Sequence, residues 1–178
     1  RTGAPVAEIL TTKGRTSGVK LVSGEVIAAD IVICNGDPAA LATGRFGADA
    51  ARAVPAIPPA KRSLSALVWY AHTRTEGFAL SHHNVFFSPD YAREFREIAS
   101  GQPPSDPTVY VCAQDRGDPC EPEPRGPERL LCLVNAPAVG DGPTLTPQAL
   151  DLCEQTSFSM VARCGLKLSL QPESHLRT

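Results

Sequence analysis

The sequence predicts an α+β fold, in which a short β-meander is followed by a mostly antiparallel sheet with helices on one face. Residues 5–34 consist of short runs rich in Val and Ile, separated by turn residues, as in a meander. Residues 63–71 are apolar at odd and even positions alike, which is typical of a central strand covered on both sides. Ser88 and Thr146 are each followed by proline, a combination that predicts the beginning of a helix at both places.

The meander is predicted to contain four short strands, at about 5–12, 17–22, 25–28 and 30–34. Its first hairpin turns through residues 13–15, and Asn35-Gly36 supplies a turn in which a positive φ costs little. Asp37 then precedes Pro38, and this pair predicts a capped, brief helix.

Residues 45–62 are rich in Pro, Ala and Gly, which disfavours a long helix and indicates a crossover between two domains. The domains are accordingly assigned to residues 1–45 and 46–178. Strands are predicted in the second domain at 63–71, 84–87, 108–113 and 129–135, and they are expected to form one mostly antiparallel sheet. The loop 115–127 is rich in Pro, Gly and charge and is predicted to be exposed.

Two helices are expected to pack on one face of this sheet. In the first, over 89–99, Tyr91, Phe95 and Ile98 recur at helical spacing and are predicted to form one apolar stripe. The opposite side of this helix is predicted to carry Arg93, Glu94, Arg96 and Glu97. The second helix is predicted over 147–164, where apolar residues again recur before a terminating glycine.

Composition and charge exclude some classes of partner. The formal net charge of −2 provides no field for nucleic acid, so no such partner is expected. The longest uncharged apolar run, 63–71, is far shorter than the roughly 18 to 20 residues that span a bilayer. The six cysteines have no C-x-x-C spacing and are interpreted as buried thiols in a reducing cytoplasm, with neither disulfides nor zinc expected.

Few residues form a pattern that indicates chemistry. His82 and His83 are adjacent and would point to opposite faces of a strand, so no metal site is predicted. A role at the strand edge and a place on the wall of a substrate cavity both remain open for them. Serine hydrolysis is disfavoured because the sequence has no G-x-S-x-G elbow. Trp69 is interpreted either as a core residue or as the lining of a long apolar tunnel.

Three stretches carry a resemblance to a known family. They are residues 18–38, with Ala29-Asp30-Ile31-Val32-Ile33 and Asn35-Gly36-Asp37-Pro38, then Ser81-His82-His83-Asn84-Val85-Phe86-Phe87-Ser88, and Asp106-Pro107-Thr108-Val109-Tyr110-Val111-Cys112. In these motifs the chain resembles the phytoene desaturase family, FAD-dependent enzymes that dehydrogenate carotenoids. Within that family, the second and third stretches look most like the bacterial 1-hydroxycarotenoid 3,4-desaturases, or methoxyneurosporene dehydrogenases.

The resemblance implies the dehydrogenation of an acyclic 1-hydroxy or 1-methoxy carotenoid at C3–C4, in carotenoid biosynthesis. Residues 1–45 would be the meander of the FAD-binding domain, and 46–178 a truncated substrate-binding domain. The G-x-G-x-x-G turn that holds the FAD pyrophosphate is absent. The chain is therefore interpreted as an internal fragment that binds no FAD and is inactive by itself, and its catalytic residues are not assigned.

The resemblance also suggests roles for individual residues. The main chain at Val6 is expected to contact the adenine of FAD. A carotenoid is bound by apolar and aromatic lining with few polar groups, and the expected contacts are Trp69, His82, His83, Phe86 and Phe158. The whole enzyme is expected to be cytoplasmic and peripheral to the inner membrane. The alternatives are another FAD oxidoreductase of the amine-oxidase-like superfamily, acting on a polar substrate, and a non-enzymatic module that binds lipid or carotenoid.

Overall fold

The computed structural model describes residues 1–58, 61–117, 124–139, 145–170 and 175–177. The chain packs as two compact units, Arg1–Arg62 and Ser63–Thr178. The first unit extends beyond the boundary predicted at residue 45, because the following segment folds back on the meander: Asp49 accepts a 2.9 Å hydrogen bond from the Thr11 hydroxyl. The assignment of the two parts of the chain to a flavin domain and a substrate domain stays a prediction.

The first unit is an antiparallel meander followed by two short helices. Its elements are β1, Val6–Thr12, β2, Arg15–Leu21, β3, Val26–Ala28, α1, Pro38–Ala42, and α2, Ala48–Ala51, and its strands pair in the order β1-β2-β3. Lys13 and Gly14, both at positive φ, make the first turn where the sequence predicted it. The Asp37 carboxylate accepts a 2.8 Å hydrogen bond from the Ala39 N–H, which confirms the predicted cap.

The predicted strand at 30–34 is wrong. Residues 31–35 have no regular secondary structure, and Ile31 and Ile33 are 80% and 90% exposed. The run is rich in residues that favour strands, but a strand also requires a neighbour. None of the described residues pairs with this segment.

Gly18 of β2 lies in close contact with β3. Its φ is +150°, and a Cβ atom on it would lie 2.2 Å from the Ile27 carbonyl oxygen. Gly18→Ala is therefore expected to push the two strands apart and to destabilise the first unit by about 3 kcal/mol. Gly14→Ala is the control, because its φ of +75° is strained but no atom lies within 4 Å of the new Cβ; it is expected to cost about 1 kcal/mol. Urea unfolding followed by circular dichroism measures both, and equal losses would contradict the steric explanation.

The second unit is built on a five-stranded antiparallel sheet, which confirms the prediction of one sheet. Its strands are β4, Ser65–Thr73, β6, His83–Phe86, β7, Val109–Ala113, β8, Glu128–Ala136, and β10, His175–Arg177, in the order β10-β4-β8-β7-β6. A separate pair is formed by β5, Thr75–Glu76, and β9, Lys167–Leu168. The pairing of β4 with β8 is unbroken from Ser65 opposite Ala136 to Thr73 opposite Glu128.

Helix α4, Pro147–Arg163, covers one face of this sheet. The Thr146 hydroxyl accepts a 3.2 Å hydrogen bond from the Ala149 N–H and so caps the helix as predicted. The core joins this helix to alternate residues of the strands, and includes Trp69, Val111, Cys132, Val134, Cys153, Met160 and Val161. No helix among the described residues combines the length and the apolar character needed to cross a membrane.

Strand β4 is covered on one side, not on both as predicted. Trp69 is fully buried against α4, whereas its neighbour Tyr70 points the other way and is 45% exposed. The same alternation continues in β8, where Leu130 is buried and Leu131 is half-buried. The side chains on the face of the sheet away from α4 are therefore half-buried or exposed.

Helix α3, Tyr91–Ala99, forms within the predicted range, but of its predicted apolar stripe only Ile98 is buried. Tyr91 and Phe95 are exposed, whereas Glu94, predicted on the opposite side, is buried. The Glu94 carboxylate accepts a 3.0 Å hydrogen bond from the N–H of Thr108, the residue before β7. This hydrogen bond to the backbone holds the charged Glu94 side chain inward. The spacing of residues in the sequence does not indicate it.

The cysteines are not uniformly buried as predicted. Cys132 and Cys153 lie in the core, where burial raises the pKa of Cys132 to about 12. Cys34 and Cys164 are exposed, Cys112 is half-buried, and Cys120 lies outside the described residues. The five described cysteines are free thiols.

Candidate functional site

The face of the five-stranded sheet that points away from α4 is called the open face below. Its side chains alternate with the core residues and come from four adjacent strands: Val68, Tyr70, His83, Val85, Tyr110, Cys112, Leu131 and Leu133. Tyr70 lies opposite Leu131, and Tyr110 lies opposite Leu133, so these side chains form one continuous surface. These central residues are half-buried or exposed, and none of them is an acid, a lysine or an arginine. The same face also carries Ala66 and Asn135 toward one end and His72 and Arg129 toward the other, where Arg129 is paired with Asp115. The centre of the open face is thus suited to an uncharged, apolar ligand.

One end of the open face is a polar cluster, called the polar corner, that consists of His82, His83, Tyr110 and Cys112. His83 Nδ1 lies 2.7 Å from the Tyr110 hydroxyl oxygen, and His82 Nε2 lies 3.6 Å from Cys112 Sγ. Burial, and then the hydrogen bond and charge interaction with Cys112, raise the pKa of Tyr110. Its hydroxyl therefore stays protonated at neutral pH.

The two histidines do not diverge as the sequence predicted. Strand β6 begins at His83, and His82 lies in the bend before it, so the alternation of a strand does not apply to the pair. Their rings lie 4.4 Å apart at 89°. One potential ligand atom from each of His82, His83 and Cys112 lies within 4.8 Å of the others. The sequence prediction assumed that both histidines lie in one strand and point to opposite faces. This assumption is wrong, so it does not exclude that both histidines bind one metal ion.

Arg116 fixes the bend that carries His82. Its carbonyl oxygen lies 2.5 Å from His82 Nδ1, and its guanidinium donates a 3.1 Å hydrogen bond to the Leu80 carbonyl. The guanidinium also donates two hydrogen bonds, of 2.8 and 3.0 Å, to the Glu128 carboxylate. Glu128 accepts a further hydrogen bond from the Thr75 hydroxyl. The bend, β5 and β8 are thus joined through one ion pair.

The Arg116–Glu128 pair is largely buried, with side chains 13% and 2% exposed, whereas Asp115, Gly117 and Arg125 of the loop 115–127 are exposed as predicted. Burial by itself raises the pKa of Glu128, but the hydrogen bonds from Arg116 and Thr75 and the charge of Arg116 outweigh it and lower the pKa. The pair is therefore ionised at neutral pH. Sequence reasoning missed it because a loop rich in Pro and Gly has no periodicity that marks a buried arginine.

Three of the predicted substrate contacts lie on the core side of the sheet. Trp69 makes an edge contact of 5.7 Å with Phe158, and its indole N–H donates a 2.8 Å hydrogen bond to Glu154. Phe86 is buried and makes an edge contact of 5.1 Å with Phe78. The sequence left two interpretations open for Trp69, a core position and the lining of a tunnel. These contacts agree with the core position. His82 and His83, in contrast, border the open face.

Exposed aromatic side chains gather where β6 leads into α3. Phe87 makes an edge contact of 5.9 Å with Tyr91, which makes one of 4.9 Å with Phe95. All three are exposed. Tyr91 and Phe95 belong to the stripe that the sequence predicted to be buried.

Val6, the predicted cofactor contact, lies at the start of β1. This strand is at the edge of the meander, and an edge strand presents backbone groups that its own sheet does not pair. A main-chain contact to an aromatic ring at Val6 is compatible with this position. A cavity of 670 Å³ in the same unit is lined by residues of β1, β2 and α2 and does not include Val6.

Comparison with curated proteins gives clear relatives, whereas no protein-family model matches the chain. A hydroxyneurosporene desaturase of Rubrivivax gelatinosus is 50% identical over an alignment of 179 residues, which covers 98% of the chain and 33% of that protein. A hydroxyneurosporene desaturase of Cereibacter sphaeroides is 43% identical over 97% of the chain and 34% of its own length. A zeta-carotene-forming phytoene desaturase of Myxococcus xanthus is 37% identical over 76% of the chain and 26% of its length.

These relatives define a class, the oxidoreductases of carotenoid biosynthesis. The chain belongs to the phytoene desaturase family. It spans about a third of the length of the curated relatives it matches. The resemblance found in the sequence is thereby confirmed.

Proposed function

We propose that the protein to which this chain belongs dehydrogenates an acyclic 1-hydroxy or 1-methoxy carotenoid at C3–C4 with FAD. In this proposal the chain supplies the meander of the flavin domain and much of the substrate-binding domain. The names of the relatives support the reaction, since three of them are hydroxyneurosporene desaturases. The open face is the structural observation that carries the proposal.

A carotenoid is a rigid, uncharged polyene, so it is recognised by shape and apolar contact rather than by charge. The four strands of the open face are spaced by about 4.8 Å, and their side chains therefore present a surface about 14 Å wide. This width accommodates the end of a polyene chain. A polar substrate, as in the amine-oxidase-like alternative, would instead require charged groups across the same face.

The polar corner is our candidate for the end group of the carotenoid. His83 and the Tyr110 hydroxyl lie beside the apolar residues of the open face and can form a hydrogen bond with a 1-hydroxy or 1-methoxy oxygen. Of the predicted substrate contacts, His82 and His83 keep their role in this proposal. Trp69, Phe86 and Phe158 are no longer proposed to contact the substrate. The apolar contacts are proposed instead to come from the open face, from Val68, Tyr70, Val85, Leu131 and Leu133.

The chemistry that FAD would supply when bound is the acceptance of a hydride from one of the two sp³ carbons, with loss of a proton from the other. The residues of this chain would hold the polyene end in place and exclude water. Val6 is proposed to contact the adenine through its main chain, which fits the edge position of β1. The sequence contains no G-x-G-x-x-G turn to bind the pyrophosphate.

Peripheral association with the cytoplasmic side of the inner membrane is part of the proposal, because the substrate dissolves in the bilayer. The exposed aromatic residues Phe87, Tyr91 and Phe95 support it, since aromatic side chains favour the membrane–water interface.

Leu131→Ala in the complete enzyme tests the open face. Loss of a wall contact worth roughly 1.5 to 3 kcal/mol is expected to lower kcat/KM for a 1-hydroxylated carotenoid at least tenfold, with melting temperature and flavin content nearly unchanged. The measurement is the rate of product formation, read from the longer-wavelength absorption of the extended polyene.

Two matched variants make this result specific. Leu130→Ala changes the neighbouring residue, which faces the core, and is expected to lower the melting temperature. Leu152→Ala, on the exposed side of α4, is expected to change neither property. Full activity of Leu131→Ala would remove the open face as the substrate wall.

A further inference from the structure

We propose that His82, His83 and Cys112 form a binding site for a divalent cation of the zinc class. The three residues come from the bend before β6, from β6 itself and from β7, and one ligand atom of each lies within 4.8 Å of the others. This inference does not rest on the proposed reaction, although it uses His82 and His83, which the proposed function places beside the carotenoid end group. It arises from the polar corner alone.

The separation of one pair of ligand atoms, from His82 and Cys112, already fits tetrahedral coordination. Bond lengths of roughly 2.0 to 2.1 Å for imidazole nitrogen and 2.3 Å for thiolate sulfur place the two atoms about 3.5 to 3.6 Å apart around one zinc ion. His82 Nε2 and Cys112 Sγ lie 3.6 Å apart. A zinc ion could therefore bind both atoms without moving either strand.

The hydrogen bonds around the histidines orient them as ligands. His82 Nδ1 is bonded to the Arg116 carbonyl oxygen, which can only accept, so Nδ1 carries the proton and Nε2 presents its lone pair toward Cys112. A ring N–H donated to a backbone carbonyl is the usual support of a metal-bound histidine. His83 is held in a similar way by its 2.7 Å contact with the Tyr110 hydroxyl.

The bend that carries His82 is firmly anchored. The Asn84 side chain accepts a 2.8 Å hydrogen bond from the Ser81 N–H and donates to the carbonyls of Ser81 and Val111, at 2.7 and 3.1 Å. Arg116 holds the Leu80 carbonyl from the other side. The site is thus organised before any ion binds, which lowers the cost of binding.

The donor set selects the class of metal. Two imidazoles and one thiolate suit zinc and related borderline or soft cations, whereas Mg²⁺ and Ca²⁺ require oxygen ligands. Three protein ligands leave a fourth position, which water can occupy. Because the thiol must lose its proton, binding is expected to release a proton and to weaken as the pH falls.

Titration of the reduced, metal-free chain with Co²⁺ tests the proposal. Stoichiometric binding is expected to give a thiolate-to-cobalt charge-transfer band together with the visible bands of a tetrahedral ion. Cys112→Ser is expected to abolish the charge-transfer band, and His82→Ala and His83→Ala are each expected to weaken Zn²⁺ binding in calorimetry at least tenfold. Circular dichroism of each variant checks that its fold is retained.

The matched controls are Cys34→Ser and His72→Ala, which change an exposed thiol and an exposed histidine outside the polar corner. Both are expected to leave the cobalt spectrum and the affinity unchanged. Absence of a charge-transfer band in the parent chain would overturn the proposal. So would a band that survives Cys112→Ser, or one that depends on Cys34.

Discussion

Replacement of Arg116 by alanine is expected to lower the free energy of unfolding of the second unit by about 3 to 5 kcal/mol. The change leaves the Glu128 carboxylate buried without the guanidinium that donates two hydrogen bonds to it. A buried charge that loses its partner is far more costly than an exposed one. Trp69 is the single tryptophan of the chain, so its fluorescence during urea unfolding reports on this unit.

An exposed ion pair provides the comparison. Arg163→Ala removes the surface pair with Asp106 and is expected to cost less than about 1 kcal/mol. The double variant Arg116→Met with Glu128→Gln is expected to recover part of the loss, because no buried charge remains. If Arg116→Ala is no more costly than Arg163→Ala, the pair does not have the buried role described for it.

The same pair predicts a pH dependence. The pKa of Glu128 is lower in the folded chain than its ordinary value of 4.5, so its contribution to stability is fully present above that value. It is lost as the pH falls from there through the lower folded pKa. The free energy of unfolding of the parent is therefore expected to decrease over this range, and Glu128→Gln is expected to show a smaller decrease.

Trp69→Ala is expected to lower the free energy of unfolding by about 3 to 5 kcal/mol, whereas Tyr70→Ala next to it is expected to cost less than about 1 kcal/mol. Trp69 is fully buried between the sheet and α4, so its removal leaves a cavity and breaks the hydrogen bond to Glu154. Tyr70 points to the open face and is 45% exposed. Urea unfolding followed by circular dichroism measures both variants.

Trp69→Phe separates the two effects in this prediction. It keeps most of the apolar volume but loses the N–H donor, and is expected to cost about 1 to 3 kcal/mol. Equal losses for Trp69→Ala and Tyr70→Ala would show that β4 is covered on both sides after all, as its sequence first suggested.

The second unit was the more predictable part of the fold. A run of apolar residues or a Thr-Pro cap depends on local chemistry, and the strands β4 and β8 and the helix α4 formed where these patterns stood. Residues 30–34 failed because a strand also needs a partner, which the local pattern does not specify. For the same reason the sequence could not tell that one face of β4 is left open.

The candidate site was less predictable, because it depends on contacts between distant segments. The adjacency of His82 and His83 gave the wrong orientation, since a single bend residue before β6 changes which way a side chain points. Cys112 lies in a different strand, and Arg116 lies in a loop with no repeating pattern. Only the pairing of β6 with β7 brings the first three of these residues together.

The unbroken pairing of β4 with β8 constrains how these two strands can change in length. Each is nine residues long, and successive side chains alternate between the core and the open face. Deletion of one residue inside either strand would shift every later side chain to the wrong face, placing Leu131 beneath α4 and Leu130 outside. Variants of this protein can therefore differ in these strands by substitution, whereas insertions and deletions are tolerated in the connections between strands.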